Sequence, residues 1–239
     1  MDKADARLAA VAALNDPARR RIYRYVVAQG TAVSRDEVAN ALGLARSVAA
    51  FHLERLAELG LLEFKYRRPV GRSGPGAGRP AKLYHRAAGE IALSIPERHY
   101  DLAAELLTRA VENAADGSVT VADALHTVAR EEGRSIGELL RPSDGHSRRE
   151  LIDQLAELLS DQGYEPQVED STITLRNCPF HALAKEHQEL VCGMNLEFIK
   201  GLIEAGDLPD TAARLNPAPG RCCVSLLISD NFNKSSSKM

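Results

Sequence analysis

Residues 34–86 read SRDEVANALGLARSVAAFHLERLAELGLLEFKYRRPVGRSGPGAGRPAKLYHR. Ser34 with Glu37 three positions on forms a capping box, in which the hydroxyl accepts from the Glu37 N–H and the carboxylate reaches back to the Ser34 N–H. A helix therefore starts here. Val38, Ala41 and Leu42 give it one apolar side, and Gly43 supplies the left-handed residue at which it stops. A second helical pattern follows almost at once, with Ala49, Leu53, Leu56 and Gly60 at i, i+4, i+7 and i+11 as a narrow inward stripe. At 100° per residue the opposite side carries Ser47, Phe51, Glu54, Arg55 and Glu58, and the first turn presents Arg46.

Two short helices joined by a tight turn, the second with a polar outer face, meet the physical requirement for placing a helix in a major groove. Arg46 suits guanine O6/N7, and Ser47, Ala50 and Phe51 suit neighbouring base edges, the last two against a thymine methyl. Ser34 and Arg55 complete the candidate contacts from the helices. A helical hairpin in any α domain is the plainer reading of the same pattern. After Leu62, Phe64 and Tyr66, whose alternation predicts a strand, the chain carries Lys65, Arg67, Arg68, Arg72, Arg79, Lys82 and Arg86, with no acidic residue from Lys65 to Arg86. Leu83 lies in the expected return strand, and the Gly/Pro tract between is a long tip. Arg68, Arg72, Arg79 and Lys82 are the candidate phosphate contacts, with Arg79 beside Pro80 placed to enter a minor groove. A solvated basic loop is the alternative.

GLARSVAAFHLERLAELGLLE followed by GRPAKLYHR resembles the winged helix-turn-helix of ArsR- and DeoR-like bacterial transcriptional regulators, over roughly residues 10–88. The resemblance implies that the helix ending in HLxxLxxxGL reads DNA. Ala45 departs from it, standing where such regulators often have a Ser or Thr cap, a difference of about 1 kcal/mol at the helix start.

Hydrophobic residues make up 44% of the 239 positions, enough for one or two packed cores, but aromatics are only 5% and Trp is absent, so those cores are aliphatic. The net charge of −3 conceals an asymmetry: residues 1–88 hold 16 Lys and Arg against 8 Asp and Glu, and the remainder 14 against 25. The first part suits a polyanion and the second does not. No run approaches the roughly 20 apolar residues of a membrane span, and MDKADARLAA lacks the apolar centre of a signal peptide. The expected partner is therefore double-stranded DNA, the expected location the cytoplasm, with no membrane contact.

Upstream, Asp5–Leu14 and Asp16–Ala28 read as helices, the second with Asp16 as cap and Pro17 at its first position. Downstream, a helix from about Pro96 to Ala115 carries Leu102, Leu106, Leu107, Ala110 and Val111. It either pairs two subunits on a palindromic operator or packs inside its own domain. Residues 119–132 and 147–163 supply two more helices. Residues 164–168 with 171–175, and 211–217 with 221–229, read as strand pairs. The expected fold class is α+β: a winged helix-turn-helix over 1–88, helices packed on a small antiparallel sheet for dimerisation and sensing over 89–229, and a disordered polar tail over 230–239.

All four cysteines fall late, at 178, 192, 222 and 223. In a reducing compartment such clustering points to metal ligation or thiol redox chemistry, with simple burial as the alternative. Pro179 at a first helical position puts Cys178 at the N-cap, where the helix dipole favours thiolate. One straight helix over 179–205 would hold Cys178 and Cys192 on the order of 21 Å apart along its axis, too far to share an ion. The helix must break, and His187–Glu189 is the expected place. Residues alternate faces along a strand, so one of Cys222 and Cys223 should meet the site, and Cys222 shares parity with Val224 and Leu226. Three thiolates from separate elements suit an iron–sulfur cluster or zinc, with His181, His187 or an outside molecule as fourth ligand and Cys223 as the lesser candidate.

A helix-turn-helix joined to widely spaced C-terminal cysteines is also similar to the bacterial repressor family that carries an iron–sulfur cluster and controls the cluster-assembly operon. That resemblance implies three cluster ligands, corresponding to Cys178, Cys192 and Cys222. The HALAKEH segment and the Cys222-Cys223 doublet depart from the family's pattern. The sequence therefore predicts a homodimeric repressor modulated by a cluster or metal. The alternative is a regulator answering a small organic effector, with zinc or thiols only structural. An enzyme built on Cys178 and His181 is disfavoured, because no residue supplies an orienting acid.

Overall fold

The computed structural model describes residues 3–67, 80–140, 147–169, 171–206, 208 and 211–229. The expected wing-tip contacts Arg68, Arg72 and Arg79 and the tail at 230–239 lie outside the described residues. The chain divides into two compact units, Met1–Leu93 and Ser94–Met239.

The first unit runs α1 (Lys3–Ala13), α2 (Pro17–Ala28), β1 (Val33–Ser34), α3 (Arg35–Leu42), α4 (Arg46–Glu58), β2 (Leu62–Arg67) and β3 (Ala81–Arg86). Its starts and stops follow from local chemistry. Asp16 accepts from the Arg19 N–H at the head of α2, and Ser34 and Glu37 bond reciprocally at the head of α3. Gly43, at φ 64°, ends α3 in the left-handed region. Ala45 leads into α4 without any side-chain cap. Ile22, Val26, Val38, Ala49, Leu53, Leu56 and Leu62 close the core beneath α3 and α4. His52 is buried beside them, where the apolar periodicity leaves it out.

The sheet has the antiparallel order β1-β3-β2. Two-residue β1 is absent from the sequence reading because Ser34 serves two elements, pairing with Leu83 of β3 and capping α3. Alternation in β2 predicts inward apolar residues, yet only Leu62 is buried. Phe64 and Tyr66 are exposed, and pack edge-on with ring centroids 5.7 Å apart.

The second unit runs α5 (Tyr100–Asn113), α6 (Val121–Gly137), a 3-10 turn (Glu138–Leu140), α7 (Arg148–Asp161), β4 (Pro166–Glu169), β5 (Thr172–Leu175), α8 (His181–Glu186), α9 (Gln188–Ala205), β6 (Thr211–Leu215) and β7 (Val224–Ile228). The antiparallel sheet has the order β4-β5-β7-β6, so α8, α9 and β6 are inserted between its two central strands. Ser147 caps α7 with a second capping box, and Leu155, Leu158 and Leu159 of that helix are buried while Leu151 is half-buried. The whole is α+β.

Helices α6 and α9 cross with backbones in near contact. A Cβ added at Gly133 would lie 1.9 Å from the Phe198 carbonyl oxygen, and one at Gly201 would lie 2.0 Å from that of Arg130. Arg130 pairs with Glu197 and Glu204 and Arg134 with Glu204 across the crossing. Helix α5 starts at Tyr100, later than expected at Pro96, because the preceding residues are bonded elsewhere. The His99 N–H donates to the Pro179 carbonyl at 3.1 Å, and Arg98 donates to the Asn177 side chain and, at 2.9 Å, to the Cys178 carbonyl. Among the described residues no helix is long and apolar enough to cross a membrane.

Candidate nucleic-acid interface and thiol site

Helix α4 presents a free face. Arg46 in its first turn keeps 71% of its side chain exposed and makes a 2.7 Å ion pair with Asp36 of α3. Ser47 is exposed, Ala50 is half-buried, and Phe51 is 64% exposed. An uncapped helix start flanked by a guanidinium, a hydroxyl and an aromatic ring is equipped for base edges and phosphate. Arg55 is tied to Glu58 one turn on, at 3.0 Å. Ser34, Ala50 and Lys82 line one groove of about 430 Å³, although the Ser34 hydroxyl is already engaged as the cap of α3.

Lys82 is not a free cation. Its ammonium pairs with Glu54 of α4 and lies 3.7 Å from the Phe64 ring centroid, which leaves the side chain 22% exposed. The Tyr84 hydroxyl donates to the other Glu54 oxygen at 2.6 Å. Burial pushes the Glu54 carboxyl up, but the bonds from Lys82 and Tyr84 outweigh it and hold the group below its ordinary value. Burial and the Glu54 charge together push the Tyr84 phenol up. Outward-facing Glu54, with no role in the sequence reading, is thus a cross-link between α4 and the strand ribbon.

At the other site, the predicted helix break falls at His187, where α8 ends and α9 begins. Cys178, Cys192, Cys222, Cys223 and His181 line one cavity of about 250 Å³, together with Pro217–Arg221. His187 is not among its lining residues. Cys178 does not cap α8, which begins at His181 after a turn closed by the His181 N–H to the Cys178 carbonyl. Its thiol is nonetheless held below the ordinary value. The hydrogen bond from Cys222 is the main cause, burial opposes it, and the Phe180 N–H and the Arg98 charge assist. The Cys222 thiol is pushed up by serving as that donor and by burial.

The expectation that only one of the doublet meets the site fails, because both residues precede β7 and strand parity does not govern them. Cys223 is disulfide-bonded to Cys192, with Cα atoms 6.4 Å apart, while Cys178 and Cys222 are free thiols. Buried Asn195 of α9 donates to the Cys222 sulfur at 3.2 Å and accepts from the Tyr164 hydroxyl. As the sulfurs stand, no group of three or more His, Cys, Asp or Glu among the described residues is placed to hold a metal ion. The donor set itself fits a thiophilic group: Cys178, Cys192 and Cys222 line one small cavity together with His181, and the Phe180 N–H and the Asn195 amide donate to the Cys178 and Cys222 sulfurs.

Residues 14–63 match the family model of a helix-turn-helix domain. No curated protein and no solved structure gives a match. The matched stretch of this helix-turn-helix domain contains α3, Gly43 and α4, with α4 as the second helix, the one that such domains lay in a major groove. A helix-turn-helix domain supports a DNA-binding transcription regulator. Around the sulfurs, Arg98, Asn177, Asn195 and Tyr164 escape sequence reasoning. Arg98 reaches Asn177 across 79 positions, and no periodicity or motif reports such a pair.

Proposed function

We propose that the chain is a homodimeric transcriptional repressor that grips a palindromic double-stranded operator with α4 and the β2–β3 wing, and that an iron–sulfur cluster, or zinc in its place, sets how firmly it does so. The observation that carries the DNA reading is the exposed face over the first two turns of α4, where Arg46, Ser47 and Phe51 stand exposed beside half-buried Ala50. Arg46, Ser47, Ala50 and Phe51 read bases. Arg55, the Ser34 region and the wing cations Arg68, Arg72, Arg79 and Lys82 serve the backbone. Two copies on a symmetric site double the contact that one short helix makes, which fits the weak hold of a single wing.

For the sensing half, the ligands are Cys178, Cys192 and Cys222, with His181 at the cavity wall as fourth donor. When bound, a cluster supplies oxidant-sensitive redox chemistry, whereas zinc supplies only a cross-link. The chain's own contribution is to hold the sulfurs: Asn195 orients Cys222, Phe180 and Arg98 favour the Cys178 thiolate, and the α8–α9 bend returns Cys192 to the same cavity. A difference of about 1–3 kcal/mol in DNA affinity between occupied and empty forms suffices for regulation.

The test is selection from a random duplex pool by protein purified without oxygen, followed by iron, sulfide and zinc analysis. A palindromic consensus, brown protein with iron and sulfide, and loss of the colour in Cys178→Ser are the expected results. Enrichment of no sequence at low salt would remove the DNA reading. Colourless, metal-free protein with all thiols reduced would remove the sensing reading.

A further inference from the structure

We infer that Cys223 is a redox gate on this ligand set: by bonding to Cys192 it withdraws one ligand sulfur, and reduction of that bond by a dithiol opens the site to a thiophilic metal or cluster. The inference rests on the ligand assignment proposed above and adds what governs loading.

Four cysteines line one cavity, yet they are divided into a bonded pair, Cys192–Cys223, and a free pair, Cys178 and Cys222. With Cys192 in the disulfide only two of the three proposed cysteine ligands can give a thiolate, and no triad stands ready among the described residues. Cys222 and Cys223 are chain neighbours before β7, so one turn delivers a ligand and its competitor together. The disulfide also borders a second cavity of about 320 Å³, lined by Gln188, Glu189, Cys192, Leu215, Pro217 and Cys223 but by neither free thiol. Both disulfide residues thus border a space that neither free cysteine lines.

The step balances within one reductant class. A thiolate of the dithiol attacks one sulfur of the disulfide and releases the other as thiolate. The second thiol of the reductant then displaces the bound sulfur and closes its own disulfide. Two electrons pass to Cys192 and Cys223, two protons follow, and Cys192 gives up its proton again on ligation. The disulfide form of the same reductant reverses the sequence.

Cobalt(II) serves as the probe, followed by its thiolate charge-transfer absorption on the full chain without oxygen, with thiol counting on the denatured protein and peptide mapping alongside. Reduced wild type and reduced Cys223→Ser should bind alike. Wild type oxidised with a cyclic disulfide, with two thiols left and Cys192 mapped to Cys223, should bind at least about a hundredfold more weakly. Cys223→Ser given the same oxidant should keep its affinity, and Cys223→Ala provides the same comparison should the serine variant fold poorly. Equal cobalt affinity in oxidised and reduced wild type overturns the gate and leaves the ligand assignment standing. No cobalt uptake by reduced wild type with four free thiols overturns the assignment and the gate with it. Weak binding by reduced Cys223→Ser makes Cys223 a ligand, and loss after oxidation of that variant makes the block unspecific; either overturns the gate.

Discussion

Glu54 of α4 and Lys82 of β3 form an ion pair that fastens the candidate reading helix to the wing. The pair neutralises one of the few described cations on that groove, so Lys82 contributes less to phosphate contact than its position in a basic run suggests. Glu54→Gln keeps an acceptor for the Tyr84 hydroxyl while releasing the lysine charge. We expect this variant to bind specific and random duplexes more tightly, with a salt dependence steeper by about one counterion. Anisotropy titrations across sodium chloride concentrations measure this, and an unchanged slope would place Lys82 away from the phosphates.

The same carboxylate gives the first unit a pH dependence. Burial raises the Glu54 value, but the bonds from Lys82 and Tyr84 prevail, and Glu37 is lowered by the Ser34 N–H and hydroxyl. A carboxyl depressed by folding adds stability that is fully present above its unfolded value, about 4.3, and fades as pH falls through the folded value. The urea midpoint of the first unit should therefore decline below about pH 4.3. Glu37→Gln/Glu54→Gln should start lower and decline less. Parallel declines in the two proteins would mean that other carboxylates dominate.

What was legible and what was not divide along sequence distance. The capping box at Ser34, the helix start at Ser147, the Asp16 cap, the Gly43 stop and the α8–α9 break are legible because each is decided within about four residues or by the reach of one helix. The Glu54 cross-link, spanning 28 and 30 positions, was not, since a glutamate on an outward face looks like any solvated residue. Pairing of Cys192 with Cys223, rather than with Cys222, depends on where β7 begins, and a strand boundary is poorly marked by a Cys-Cys-Val run.

Base recognition should rest on the shape of Arg46 as well as its charge. A guanidinium presents two parallel donors to guanine, whereas an ammonium presents a point charge. Arg46→Lys should retain binding to random duplex and lose about 1–3 kcal/mol of discrimination at one operator position. Arg46→Ala should lose the same discrimination and weaken binding to random duplex only slightly. The check is competition between consensus and single-substitution duplexes, and full discrimination by Arg46→Lys would assign the contact to Ser47 or Phe51 instead.

Gly133 tests the crossing that carries the thiol site. Its absent side chain lets α6 lie on the Phe198 carbonyl of α9, the helix whose second turn bears Cys192 and whose middle bears Asn195. A methyl group there would meet backbone atoms, which yield less readily than a side-chain end, and overpacking of this kind costs about 1–3 kcal/mol or more. Gly133→Ala should accordingly lower the denaturation midpoint, while Gly89→Ala, with nothing within 4 Å of its added Cβ, should not. Because α9 also positions Cys192 and the Asn195 bond to Cys222, the Gly133 variant should in addition show faster alkylation of the two free thiols under native conditions. A wild-type midpoint with wild-type alkylation would mean that α6 and α9 stand further apart than backbone contact requires, and the cavity wall would then need another support.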